Sequence, residues 1–201
     1  MPSFVTTGFS KPYVAKYANT AGTVSYSGGM LLGRGVSVES EIDVADDNNF
    51  YADNVIAETE STQFISGSLT VTVDGLGNDA ATLILGLPEP ESVTINETPV
   101  NIQHYNDDMN APHVGFGYIR RVMYQGDTQY IPVVHPKVKF SLSSDSAATQ
   151  EDQIDWQTQE LSATLMRDDT TKRNWKLEGV PQASETLAEA VVKHLLGITG
   201  E

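Results

Sequence analysis

Residues 39–74 constrain the fold of this chain more than any other stretch. Two segments with strand spacing enclose a polar, acidic middle. Val36, Val38, Ile42 and Val44 recur near a period of two, and Leu69, Val71 and Val73 keep that period strictly. Successive side chains on a strand point to opposite faces, so this alternation is the pattern of half-buried antiparallel strands. Between the two segments, Asp46-Asp47-Asn48-Asn49 resists both helix and strand, and Phe50-Tyr51 places two aromatics beside the acids. The simplest object with this pattern is a strand pair joined by a long aromatic-bearing loop over residues 43–62. Such a loop cannot bury itself, so it must stay in solvent or dock on something.

The rest of the chain reads the same way. Residues 1–12 have the look of an extended arm, with only Phe4, Val5 and Phe9 to anchor it. Its removal is expected to leave the core folded. Tyr13, Ala15 and Tyr17 alternate as a first strand, and Gly28-Gly29 signals a turn. Residues 80–85 form a short helix that Asn78 or Asp79 can cap and Gly86 can close. Short alternating runs surround a turn at residues 96–99. Residues 114–124 and 130–140 make a second hairpin, in which Pro132 and Pro136 restrict the later strand to an edge or bulged position. Residues 143–155 contain almost nothing apolar and read as a loop. Leu161, Ala163 and Leu165 then share one strand face, and residues 174–177 suggest a last short strand. Ser184 is placed to cap a closing helix within residues 182–201, with Leu187, Val191 and Leu195, joined by Ala188 and Val192, on its apolar side.

Composition and motifs narrow the chemistry mainly by exclusion. At 201 residues the chain suits a single domain, 1–201. Its 12 Lys and Arg against 27 Asp and Glu give a formal charge of −15, which opposes tight general binding to nucleic-acid phosphate. No apolar run reaches the roughly 20 residues that span a bilayer. The first residues lack the basic start and apolar core of a signal peptide. With no cysteine there is neither a disulfide framework nor thiolate chemistry, which fits a reducing cytosol. Gly75-x-Gly77-x-x-Ala80, with Glu97 beyond it, matches a dinucleotide fingerprint by spacing alone. The strand before it alternates Thr with Val, whereas a first Rossmann strand is continuously apolar. The acids at 43–53 fail as a calcium loop, because Phe50 stands at the fifth position from Asp46 and no closing Glu follows. His104, His113, His135 and His194 show no ligand spacing. No nucleophile motif or acid–base pair stands out, so neither a catalytic residue, a cofactor nor a metal is expected.

Several stretches, taken in order, resemble the major tail (tail-tube) proteins of long-tailed bacteriophages, especially those of Gram-positive hosts. They are the small-residue arm, then Phe50-Tyr51-Ala52-Asp53-Asn54 followed by Glu58 and Glu60. Phe64-Ile65-Ser66-Gly67-Ser68-Leu69-Thr70-Val71 leads into Leu83-Ile84-Leu85-Gly86, and Gly115-Phe116-Gly117-Tyr118-Ile119-Arg120 precedes the run at 130–140. The resemblance implies a mainly β fold with minor α. Two packed antiparallel sheets would form a sandwich or barrel-like core, with one flanking helix and one C-terminal helix. It implies subunits that join into rings, commonly hexamers, and rings that stack into a hollow tube in the virion tail after assembly in the bacterial host cytoplasm. DNA would pass through the lumen without specific binding, and other tail proteins (tape measure, tail tip and terminator) would be partners, with no membrane involved. The arm and the 43–62 loop would make the contacts between subunits or rings, through Phe4, Phe9, Asp46, Asp47, Phe50, Tyr51, Asp53 and Glu58.

A different class remains open on the residues alone. A monomeric β-sandwich module for carbohydrate binding or adhesion could use acidic loops with Trp156 or Trp175, since aromatics stack on sugars. A hydrolase with dispersed carboxylates is a further possibility, but no residues can be named for it.

Overall fold

The computed structural model describes residues 4–46, 48–60, 63–141 and 157–199. Asp47, Trp156 and the whole of the expected 143–155 loop lie outside the described residues. Among the described residues the chain is mainly β with two helices. In chain order the strands are β1 (Val5–Thr20), β2 (Thr23–Leu31), β3 (Gly35–Val44), β4 (Asn48–Ala52), β5 (Val55–Glu60) and β6 (Phe64–Val73). Helix α1 (Asn78–Leu85) follows, then β7 (Glu91–Ile95), β8 (Thr98–Ile102), β9 (Val114–Tyr124) and β10 (Asp127–Phe140). The chain ends with β11 (Gln159–Met166), β12 (Leu177–Glu178) and α2 (Glu185–Leu195).

One antiparallel sheet runs β2-β1-β9-β10-β11-β6-β3, with β12 beside β10. Its two halves share a single core: Val14, Phe116, Tyr118 and Val133 from one meet Leu69, Val71, Leu161 and Leu165 from the other. The sheet curls until β1 and β3 approach, where the Phe9 ring lies over Gly35. Facing layers with one continuous hydrogen-bonded path are the barrel-like form of the expected packing. Helix α1 adds Ala80, Ala81, Ile84 and Leu85 to this core.

The opposite face of β1, β9 and β10 is also covered. Tyr13, Ala15, Ile119 and Val134 pack under Ala188, Val192 and Leu196 of the α2 segment. This double coverage explains why Val114–Tyr124 begins with an unbroken buried run rather than an alternating one. It also explains Gly115 and Gly117. A Cβ on Gly117 would stand 2.7 Å from Val192 Cγ1, and one on Gly115 would stand 2.6 Å from Leu196 Cδ2. The helix sits too close for any larger side chain.

Four tight hairpins share one turn geometry. Ala21-Gly22, Asp53-Asn54, Asn96-Glu97 and Gln125-Gly126 each have positive φ at both central residues, the requirement of a two-residue turn matching strand twist. Gly28-Gly29 is not a turn. It lies inside β2, opposite an irregularity between Val14 and Lys16 of β1, so its glycines mark a bulge instead.

Several other expectations change. The 1–12 arm is largely strand, since from Val5 onward it pairs with β9 through Val5↔Met123 and Phe9↔Arg120. Phe9 meets the Tyr118 ring at 5.4 Å and adds to the core, so the segment has a stronger anchor than its composition suggested. Within the expected 43–62 loop, residues 48–60 form a hairpin of β4 and β5 rather than an irregular loop, because Asp53-Asn54 accepts the positive φ of a tight turn. β10 is interior and takes the bulged alternative: Pro136 falls in the register break between His135 and Val138, and the Pro132 carbonyl accepts from Gly179 N–H at 2.9 Å. Gly77, not Asn78 or Asp79, caps α1, and no side chain bonds there; Gly86 closes it at φ 64° as expected. Ser184 does cap α2, its oxygen accepting from Leu187 N–H at 3.2 Å. The helix turns its 188–192–196 side inward and leaves Leu187 51% exposed.

Candidate functional site

The β4–β5 hairpin carries the features that most need a partner. Its strands pack mainly on each other, held by Phe50↔Glu58, Tyr51↔Ile56 and Ala52↔Val55. Directly opposed residues of an antiparallel pair share a face, so Phe50, Val55 and Glu58 project to one side and Tyr51 and Ile56 to the other. Phe50 is 64% exposed, Tyr51 62%, Val55 62% and Ile56 53%. An amphipathic hairpin lying on its own core would hide one of these faces. This one shows apolar side chains on both, which suits a hairpin inserted between two surfaces.

The expected contact residues separate into distinct roles. Asp46, Phe50, Tyr51, Asp53 and Glu58 are exposed on or beside the hairpin. Asp53 sits at φ 51° in the turn, a position set by backbone geometry. Phe4 is exposed but leans on Tyr124, with ring centroids 5.4 Å apart. Phe9 is partly buried and packs against the core of its own chain. Asp47 lies outside the described residues.

A second hairpin was missed as a surface. β7 and β8 place Val93, Ile95, Val100 and Ile102 on one face, where Ile95, Val100 and Ile102 are exposed. The alternation of both runs was visible, but an alternating strand does not say whether its apolar side is covered.

Charge is partitioned. No Lys or Arg occurs between Arg34 and Arg120, a stretch that spans β3 to β8 and holds more than half of the 27 Asp and Glu. Half of the 12 Lys and Arg fall between Lys137 and Lys176. Two of these line a depression of about 460 Å³ at the root of the β4–β5 hairpin, together with Phe64, Ile65 and Met166. Arg167 donates to the Phe64 carbonyl and lies over the Phe64 ring, 5.8 Å from its centroid. Arg173 is exposed and forms no ion pair among the described residues.

The internally bonded polar groups hold elements together. Asp168 accepts from Asn174 N–H at 2.8 Å and from the Thr170 hydroxyl at 2.7 Å, closing the loop before β12. Asp169 accepts from Tyr17 at 2.8 Å and Lys137 at 2.8 Å. Burial pushes the Tyr17 hydroxyl up to about 12. Glu189 of α2 accepts from Lys11, from Tyr13 at 2.6 Å and from Lys193 at 3.0 Å, tying the helix to β1. Burial works to raise its pKa, but these bonds more than reverse that and bring it down to about 2. His135 is 1% exposed; its Nδ1 lies 3.2 Å from the Trp175 carbonyl, and its Nε2 has no partner among the described residues. Burial lowers its pKa to about 4.

Neither cofactor motif survives as geometry. The sheet is antiparallel throughout, so the Gly75-x-Gly77 turn belongs to no βαβ unit. Asn48 and Phe50 stand in a strand rather than a cation loop. Among the described residues no group of three or more His, Asp or Glu is placed to hold a metal ion. No helix among them is long and apolar enough to cross a membrane. Trp175, one of two candidates for sugar stacking, already stacks on Phe64 at 4.9 Å and 2°; Trp156 lies outside the described residues.

Fold and surface together define a mainly β, acidic protein whose most conspicuous feature is a protruding hairpin rather than a pocket of reactive groups. No family model and no curated protein matches the chain.

Proposed function

We propose that this chain is a structural subunit of a bacteriophage tail tube, assembling into rings, of six copies in keeping with the resemblance, that stack around a lumen through which DNA leaves the virion. The observation that carries the reading is the β4–β5 hairpin with exposed apolar residues on both faces. A hairpin of this kind is costly in a monomer and useful between subunits. The charge agrees with a DNA conduit, because a surface poor in Lys and Arg repels phosphate instead of retaining it. The tape-measure, tip and terminator proteins of the tail would be its other partners. Trp175 gives the carbohydrate-binding alternative little support, since Phe64 covers one ring face.

Negative-stain electron microscopy of the purified protein over a range of concentration and salt tests this directly. Rings or hollow tubes are the expected images. Monomers at every condition, including in the presence of a tail-tip complex, would overturn the proposal.

A further inference from the structure

The depression at the root of the hairpin has the chemistry of a receptor, and its complement is carried elsewhere on the same chain. Its floor is apolar, with Phe64, Met166 and Ile65, and Ile65 is 62% exposed. Its rim is basic, with Arg167 and Arg173, in a protein whose formal charge is −15. Arg167 is fixed by the Phe64 carbonyl and ring, so the rim is in part pre-formed. One face of the β4–β5 hairpin offers the matching pattern: Phe50 and Val55 are apolar and exposed, and Glu58 stands opposite Phe50.

The hairpin does not fill its own root: β4 and β5 pack mainly on each other, and Phe50 and Val55 stay exposed. We infer that the depression receives the Phe50–Glu58 face of the hairpin from a second copy of this chain, with Glu58 meeting Arg173 and Phe50 covering Phe64 and Ile65. This rests on the assembly reading above and adds to it a named socket. Opposite charges across such a contact fix register and reject wrong partners.

Charge exchange tests it. Arg173→Glu and Glu58→Lys each set like charges against each other in a homogeneous sample. Each variant, with a thermal melt matching the unaltered chain, should need a roughly tenfold or greater concentration to assemble, as read by sedimentation velocity. Mixed one to one, they restore both opposite-charge pairs (Glu58 with Arg173, and the introduced Lys with the introduced Glu), and assembly should return towards that of the unaltered chain. Failure of the mixture to recover would overturn the socket, as would two variants that assemble normally. In both cases the unaltered chain still assembles, so the tube reading stands. If the unaltered chain never assembles, the socket and the tube fall together.

Discussion

Protonation of His135 is resisted by its surroundings. Burial, with a smaller push from Lys176, holds the imidazole neutral down to about pH 4, and the bond to the Trp175 carbonyl only partly opposes this. In the unfolded chain the same group takes up its proton near pH 6.5. Between those values the unfolded state binds more protons, so stability is full above about pH 6.5 and falls as pH drops towards 4. A difference of that size is worth about 3 kcal/mol. Chemical denaturation at pH 7.5 and pH 4.5 should show the loss, and His135→Phe should flatten it. Glu189 extends the effect to lower pH. Its folded pKa of about 2 lies below the ordinary carboxylate value, so its contribution is complete above about pH 4.5 and disappears as pH falls towards 2. Glu189→Gln should lower the melting temperature at neutral pH and leave less acid sensitivity below pH 4.5.

At the level of elements, α2 rests on a track of glycines in β9. Gly117→Ala would press a methyl against Val192 and force the helix outward, at a cost of about 1–3 kcal/mol. The expected signature is a lower melting temperature with early loss of helical circular dichroism. Deleting residues 1–12 would remove the Phe9 ring and the Lys11–Glu189 pair, so it should destabilise the core, contrary to the expectation from sequence. Replacing Phe50-Tyr51-Ala52-Asp53-Asn54-Val55-Ile56 by a bare two-residue turn is the cleaner cut. The melting temperature should hold within a few degrees while assembly is lost. Strands with one covered face, such as β6 and β11, were legible because Leu69, Val71, Leu161 and Leu165 alternate. The helix caps at Gly86 and Ser184 were legible for the same local reason. β9 was legible as a strand over 114–124, but its double coverage was not, because the second cover comes from a helix some 70 residues later, and no window of sequence shows it. The hairpin reads as a loop in the sequence because Asp46-Asp47-Asn48-Asn49 disfavours a strand, yet Asn48 and Asn49 lie in β4. The Arg167–Arg173 depression left no signal, since its parts meet only when β6 and β11 pair.

For the molecule as a whole, assembly sets apolar hairpins against like charge. Six copies at −15 each carry about −90 before counterions. That repulsion is long-ranged at low salt, with a screening length near 30 Å at 0.01 M, and it contracts to about 10 Å at 0.1 M. A pair such as Glu58 with Arg173, enclosed by Phe50 and Phe64, would lose less to screening than the open field does. The concentration needed for half-assembly should therefore fall as salt rises from 0.01 to 0.15 M, as measured by light scattering. A steady rise instead would mean that local attraction, rather than net repulsion, governs the process. The charge partition also reaches into how such a sample can be dissected. Trypsin finds no cleavage site between Arg34 and Arg120, so both protruding hairpins leave a tryptic digest on one large fragment, whether they were bare or covered. A glutamate-specific protease can cut at Glu58 and Glu97 instead, so its digestion pattern, not that of trypsin, would register which hairpin a neighbour shields.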